Sequence, residues 1–415
     1  MPTITALTAQ EILDSRGMPT LEVTLTTKNT RASCAVPAGA STGTHEALEL
    51  RDGDPARFGG KGVQKAVAFV GGEIAHALVG KTFDQASLDG TLIALDGTPN
   101  KARLGANTLL GVSLAFARAA AGEQGVPLYA YFGSLAGSES SSFALPRPMC
   151  NVLNGGKHAD NALSFQEFML VPKRMDSVAL CVEQLSRIIA KLKQNLQDKG
   201  FATSVGDEGG FAPHLASNKE ALDFLYSAIQ SAGLLDEFAI GLDAAASSFY
   251  KDGRYTLEPG LVLERDALIA YYEDLCLQYP ILSIEDGFAE DAWEGFQLLT
   301  QNIGGTVLVV GDDLLVTSQA RIAEAGERHA VTAAIIKPNQ VGTITETITA
   351  VAEVRKQGWV AIASHRSGET SDTAIADLAV GLSCAYGKFG ALARGERVCK
   401  YNRLMEIERE LLSQK

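Results

Sequence analysis

Apolar and polar positions change rhythm twice along this chain. Between residues 3 and 36 they alternate, and Leu21-Glu22-Val23-Thr24-Leu25-Thr26 puts every second side chain on one face, as a strand with one solvated side does. Two or three such strands are predicted there, with Asp14-Ser15-Arg16-Gly17 as a turn and Ala32-Ser33-Cys34-Ala35-Val36 closing the group at Pro37. From Val63 to Gly125 the period becomes helical, and the run from Leu104 to Arg118 is apolar nearly all round, which predicts a buried helix. Strands followed by helices predict an α+β domain over residues 1–133. The small, polar stretch 134–142 reads as a linker.

Over residues 143–415 the rhythm becomes strand, loop, helix. Ile281-Leu282-Ser283-Ile284 ends in Glu285-Asp286, and Val307-Leu308-Val309-Val310-Gly311 ends in Asp312-Asp313. Ala333-Ala334-Ile335-Ile336 ends in Lys337, and Val360-Ala361-Ile362-Ala363-Ser364 ends in His365-Arg366. These tips are 27, 25 and 28 residues apart, the length of one strand, one helix and two short loops. Strands alternating with helices pair in parallel, so the tips converge on one rim. Further strand ends are predicted at Gln166-Glu167, Asp207-Glu208, Asp243 and near Lys388. About eight ends point to an α/β, TIM-type (β/α)₈ barrel. An open doubly wound sheet is the alternative, but its G-x-G-x-x-G phosphate loop is missing.

Composition narrows this picture only slightly. With 415 residues, 46% of them hydrophobic and 20% charged, the chain can bury a large core. A formal net charge of −13 argues against nucleic acid as a partner and is compatible with metal cations or plain solubility. Six scattered cysteines without a C-x-x-C pair suit a reduced, cytoplasmic setting. No signal peptide is visible at Met1-Pro2-Thr3-Ile4-Thr5. No apolar run reaches the roughly 18 residues that membrane insertion requires.

Three acids, Asp243, Glu285 and Asp312, fall at successive strand ends. Any one alone reads more simply as a solvated loop residue or helix cap. Together they need a charge to offset their repulsion, and an oxygen-ligated Mg²⁺ provides it. A cation beside Lys337 would lower its affinity for a proton and make it a base, whereas the bland reading pairs it with Asp312 or Glu285. Glu167 and Glu208 come from earlier ends, across the barrel, and could protonate a leaving group. Arg366, Ser367 and Lys388 suit a phosphate. The segment from Pro37 to Ala47, rich in small residues, is either an exposed connector or a lid. The residues thus predict Mg²⁺-assisted proton abstraction from a small, phosphorylated anion.

The chain also resembles the enolase family along nearly its whole length. The resemblance rests on Glu11-Ile12-Leu13-Asp14-Ser15-Arg16-Gly17, Gly39-Ala40-Ser41-Thr42-Gly43, Asn154-Gly155-Gly156-Lys157-His158-Ala159, Gln166-Glu167-Phe168-Met169 and Gly206-Asp207-Glu208-Gly209-Gly210-Phe211-Ala212-Pro213. It continues through Ser283-Ile284-Glu285-Asp286, Val310-Gly311-Asp312-Asp313-Leu314, Ile336-Lys337-Pro338-Asn339-Gln340 and Ser364-His365-Arg366-Ser367-Gly368-Glu369-Thr370. It implies reversible dehydration of 2-phosphoglycerate to phosphoenolpyruvate with two Mg²⁺ per site. A lysine or histidine base with Mg²⁺ is the known pattern of such sites.

By resemblance, Asp243, Glu285 and Asp312 would hold the first Mg²⁺, and Lys337 would take the proton from carbon 2. Glu208, helped by Glu167, would protonate the departing hydroxyl. Arg366 and Ser367 would bind phosphate beside the second Mg²⁺, and Lys388 would contact the carboxylate. His158 and the Ser41 loop would close the pocket, with Ser41 reaching the second metal. Gln166 would line the pocket, and His365 would lie near the reacting hydroxyl. A homodimer through the N-terminal domain is implied, and an octamer is compatible.

The chain departs from the family pattern at Met18 (usually Asn), Ala38 (usually Ser) and Ser248 (usually Glu), and over Ala385-Tyr386-Gly387-Lys388-Phe389-Gly390. The last departure bears on the backbone path at Lys388. Two other functions stand beside the main one: a superfamily relative acting on another acid, and a binding or surface role in which the terminal Lys415 serves a partner.

Overall fold

The computed structural model describes residues 1–39, 43–137 and 143–413. Ser41, part of the predicted linker and Lys415 therefore lie outside the described residues. Strands β1 (Ile4–Leu13), β2 (Pro19–Thr27) and β3 (Arg31–Ala35) form an antiparallel sheet in the order β1-β2-β3. The turn between β1 and β2 is built on Asp14, whose Oδ1 accepts the backbone N–H of Arg16 (2.8 Å) and of Met18 (3.0 Å), with Gly17 at φ 71°. Alternation buries Leu21, Val23 and Leu25 on one face. The helix Ala106–Gln124 packs there, and Gly111 permits the approach, since a Cβ at that position would stand 2.6 Å from Val23 Cγ2. Fifteen of that helix's residues are buried, so its lack of a polar stripe reflects neighbours on every side.

The second half begins with β4 (Arg147–Asn154), β5 (Glu167–Pro172) and β6 (Phe238–Asp243). A small antiparallel sheet follows, made of β7 (Tyr250–Lys251), β8 (Arg254–Glu258) and β9 (Leu261–Leu263). Then come β10 (Ile281–Glu285), β11 (Leu308–Gly311), β12 (Ala333–Ile336), β13 (Val360–Ser364) and β14 (Tyr386–Lys388). Eight of these strands close into a barrel in the order β10-β11-β12-β13-β14-β4-β5-β6. Met149, Met169, Val171, Val310, Ala333, Ile335, Ile362 and Tyr386 fill its interior. The outer helices start on hydroxyl caps: Ser177, Ser217, Ser318 and Thr343 each accept a backbone N–H from the first turn.

The barrel corrects two sequence expectations. Its strands are not all parallel, because β5 runs antiparallel to both β4 and β6. Residues 155–166 between β4 and β5 hold only the short turn Gly156–His158, too little for the crossover that parallel pairing needs. Glu167 therefore starts its strand, and the reversal keeps it on the same rim as the ends of its neighbours. Asp207-Glu208 is not a strand end either. It lies in a turn after the helix Val178–Asp198, where the Glu208 carbonyl accepts the Ala391 N–H at 2.9 Å. The strand that completes the eight is β4, and the residues before Asp207 lack the apolar run that a barrel strand requires.

Candidate active site

Strand register sets the rim. Glu167 pairs with Asp243 and Asp243 with Glu285, so three acids from β5, β6 and β10 stand side by side. Lys388, paired with Ser364 at the end of β14, sends its ammonium across to them. Its Nζ lies 2.9 Å from Asp243 Oδ2, 2.9 Å from both Glu285 oxygens and 3.2 Å from Glu167 Oε2. The unusual sequence around it thus still delivers the lysine to the acids. Asp312 follows β11, Lys337 follows β12, and Lys337 Nζ donates to Asp312 Oδ2. Gln340 Nε2 donates to the other oxygen of Asp312 at 3.0 Å. The predicted contact between Lys337 and Asp312 is present. Lys337 accordingly does not have a depressed pKa here: burial, the largest influence, pushes it down, but the acids around it, Asp312 first and then Glu285, together hold it above the usual lysine value.

Across the barrel, His158 Nδ1 stands 3.6 Å from Glu167 Oε1 and 3.7 Å from Glu208 Oε2. Asn151 Nδ2 donates to Glu208 Oε2 at 3.1 Å. Burial lifts Glu167 well above the carboxylate range, and Glu208 adds to the rise. Around Glu208 burial acts the same way but is outweighed by His158, His365 and Arg397 together, which hold it well below the usual carboxylate value. His365 is buried and neutral, its pKa pushed down to about 4 chiefly by desolvation. Its Nδ1 takes a hydrogen bond from Arg397 Nη1 at 2.7 Å, which places the ring proton on Nε2, 3.4 Å from Glu208 Oε2. Gln166 Nε2 reaches Asp243 Oδ2 at 3.4 Å.

Arg366, following His365, is clamped rather than open. Its Nη1 donates to Glu46 Oε2 and Asn339 Oδ1, both at 3.0 Å, and its Nη2 to Glu46 Oε1 at 3.1 Å. Ser367 is buried beside it, and both lie on the wall of a pocket of about 440 Å³. Glu167, Glu208, Asp243, Asp286, Asp312 and Asp313 line this pocket, with Lys337, Arg366 and Lys388 as its fixed cations. Six carboxyls face three cations, and the imbalance is visible in the acids. Glu285 is pushed up to about 8, by burial first and then by Asp243. Asp313 is pushed up to about 7 by burial and Asp312. Buried oxygen donors whose pKa values are raised by burial and by one another fit a hard divalent cation such as Mg²⁺.

Several functional residues escaped the sequence reading. Asp286 accepts the backbone N–H groups of Asp312 (2.9 Å) and Asp313 (2.7 Å) and so shapes the turn that presents Asp312. Its position next to Glu285 was the available signal. Glu46 and Asn339, which hold Arg366, lie within quoted segments but had no partner in sequence. Arg397 is fully buried and donates to the carbonyls of Arg366 (2.5 Å), Ser367 (2.5 Å) and Asp207 (3.2 Å). Nothing in its helical context marks it.

A closed barrel whose rim gathers a buried lysine on one wall, paired carboxyls on the other and further acids between them fits the class of metal-dependent barrel enzymes. Residues 4–132 match the family described as the enolase N-terminal domain, and residues 142–415 match the enolase C-terminal TIM barrel domain. A protein of Rubrobacter xylanophilus named enolase is 50% identical over 416 residues, covering 99% of this chain and 96% of the relative. The chain belongs to the enolase family. Its activity is that of a phosphopyruvate hydratase, the Mg²⁺-dependent lyase that interconverts 2-phosphoglycerate and phosphoenolpyruvate. Among the described residues no helix is long and apolar enough to cross a membrane.

Proposed function

We propose that Lys337 takes the proton from carbon 2 of 2-phosphoglycerate and that the Glu208–Glu167 pair returns a proton to the hydroxyl leaving carbon 3. One observation carries this reading: in the barrel order, β5 with Glu167 lies four strands from β12 in either direction. Base and acid thus face each other, as removal of a proton and a hydroxyl from opposite faces of a small anion requires. Asp243, Glu285 and Asp312 would hold one Mg²⁺, and family membership supports a second. When bound, these ions supply the positive charge that stabilises the extra negative charge on the substrate carboxylate.

Lys388 and Lys337 would yield the acids they now contact to the cation, and Lys388 would turn to the substrate carboxylate. Lys337, no longer held as an ammonium by Asp312 and beside a cationic centre, would give up its proton to solvent, and the neutral amine would then offer its lone pair to the proton on carbon 2. Arg366 and Ser367 would bind the phosphate, which requires the phosphate to compete with Glu46 for the guanidinium fork. His365, neutral with its proton on Nε2, would steady Glu208 and the departing hydroxyl. Gln166 and His158 would complete the wall. Family membership supports a cytoplasmic homodimer.

The test is direct. Purified protein with 2-phosphoglycerate and Mg²⁺ should develop the ultraviolet absorbance of phosphoenolpyruvate and stop on addition of excess EDTA. Lys337→Ala should lower kcat by at least about 10³-fold, the upper part of the range for losing a general base. A Lys337→Ala enzyme that retains wild-type kcat would overturn the assignment.

A further inference from the structure

The departure from the family pattern over Ala385 to Gly390 contains a fit between two of its own residues. Gly387 stands one residue before Lys388, in the extended backbone of β14, which any residue can adopt and a β-branched one packs best. Glycine is required there by a close approach: a Cβ on it would stand 2.4 Å from Phe389 Cε2 and 2.5 Å from Phe389 Cζ. The Phe389 ring thus folds back across the strand and covers the residue before the lysine from the position just after it. The ring is itself enclosed. Phe389 is fully buried, it meets Tyr401 edge to face with centroids 6.2 Å apart, and Tyr401 Oη donates to the Gly390 carbonyl at 2.5 Å.

We propose that Phe389 is a positioning residue for Lys388. Lys388 ends β14, paired with Ser364 on one side and Met149 on the other, and the strand ladder stops with it. Its ammonium must nonetheless be held to within about 0.5 Å, because one Nζ serves oxygens of Asp243, Glu285 and Glu167 together. A ring that spans residues 387 and 389 fixes the backbone on both sides of the lysine, so its stem leaves the strand in one direction. Tyr401 extends that hold to Gly390, and the next residue, Ala391, donates its N–H to the Glu208 carbonyl. Phe389 does not line the pocket and acts only through this backbone.

The proposal rests on the carboxylate-binding role given to Lys388 above, and the experiment separates the two. It measures kcat/KM for 2-phosphoglycerate at saturating Mg²⁺ in the full-length protein, with circular dichroism establishing that each variant is folded; Phe389→Leu serves if Phe389→Ala is not. Phe389→Ala should lower kcat/KM by about tenfold or more, the scale for a displaced binding group. In a Lys388→Met background the same change should cost less than about twofold, because no ammonium remains to be misplaced. A ring that only stabilised the barrel would cost the same factor in both backgrounds, and that result overturns the proposal. Gly387→Ile alone, with the ring in place, should lose about tenfold or more, whereas Gly387→Ile with Phe389→Ala refills the space from the other side of the lysine and should recover to within about threefold of wild type. Wild-type kcat/KM in Phe389→Ala also overturns the proposal. Wild-type kcat/KM in Lys388→Met would overturn the carboxylate role instead. The place of the ammonium is then read by Mg²⁺ calorimetry without substrate, where Phe389→Ala should bind the ion about fivefold more tightly or better, since a displaced lysine frees the acid oxygens; an unchanged affinity there overturns the proposal.

Discussion

Arg397 fixes the ring of His365: its Nη1 donates to Nδ1 at 2.7 Å, while the same guanidinium spans the carbonyls of Arg366, Ser367 and Asp207. One buried side chain from the C-terminal helix Gly395–Ser413 thus ties the phosphate corner to the turn that carries Glu208. Replacing it by methionine removes a buried donor from three carbonyls and a ring nitrogen. Arg397→Met should lose roughly 3–5 kcal/mol of stability, the scale for breaking a buried charged network. A urea unfolding series measures this, and a loss under about 1 kcal/mol would contradict the role.

The same ring predicts a pH dependence. His365 has a folded pKa of about 4 against an ordinary 6.5, because burial disfavours the imidazolium. The unfolded chain therefore binds the extra proton first. The stability tied to neutral His365 is complete above about pH 6.5 and is lost progressively as pH falls toward 4. The shift corresponds to roughly 3 kcal/mol across that window. His365→Gln in EDTA should show a shallower decline than the wild type between pH 6.5 and 4, and parallel curves would exclude the effect.

Lys388 and a divalent cation want the same oxygens. The ammonium sits 2.9 Å from Asp243 and Glu285 and so competes with the ion. Lys388→Met removes the competitor, so calorimetric titration without substrate should show tighter Mg²⁺ binding. Activity should nevertheless fall by about 10²-fold or more, because the substrate carboxylate loses its counter-charge. Weaker Mg²⁺ binding in this variant would show that the lysine organises the acids instead of competing for them.

How far this was legible in sequence depends on the range of the interaction. The tips at Glu285, Asp312, Lys337 and His365 could be read because each ends a short apolar run at regular spacing. Glu208 was found as a residue but misplaced as a strand end, since its turn is held by the distant Ala391 N–H and leaves no local pattern. The reversal of β5 is hidden for a similar reason: a strand's direction follows from the length of the connection before it, and the short turn at Gly156–His158 carries no pattern that separates it from a loop before a helix. Glu46 and Asn339 had no signal because their partner, Arg366, is 320 and 27 residues away in sequence.

The N-terminal sheet reaches the site through Asp372. Arg118, on the helix Ala106–Gln124, donates from Nη1 to Asp372 Oδ2 (2.7 Å) and from Nη2 to Oδ1 (2.5 Å). The same carboxylate accepts the Ala35 N–H at 3.1 Å and the Ala374 N–H at 2.9 Å. Each oxygen thus holds one backbone group and one arm of the guanidinium, and β3 is joined to the loop bearing Arg366 and Ser367. Asp372→Asn keeps the shape but removes the charge and turns one acceptor into a donor that faces either Arg118 or a backbone N–H. The pair is partly buried, so the loss should be about 2–4 kcal/mol, less than for a fully enclosed pair. Arg118→Met alone should cost a similar amount, and the double variant much less than the sum, with a coupling of at least about 1 kcal/mol. Since Asp372 touches no substrate, its loss should raise KM through the Arg366 loop more than it lowers kcat. A double-mutant cycle with additive unfolding free energies would mean that the two residues stabilise the protein separately and that the sheet is not strapped to the site at this point.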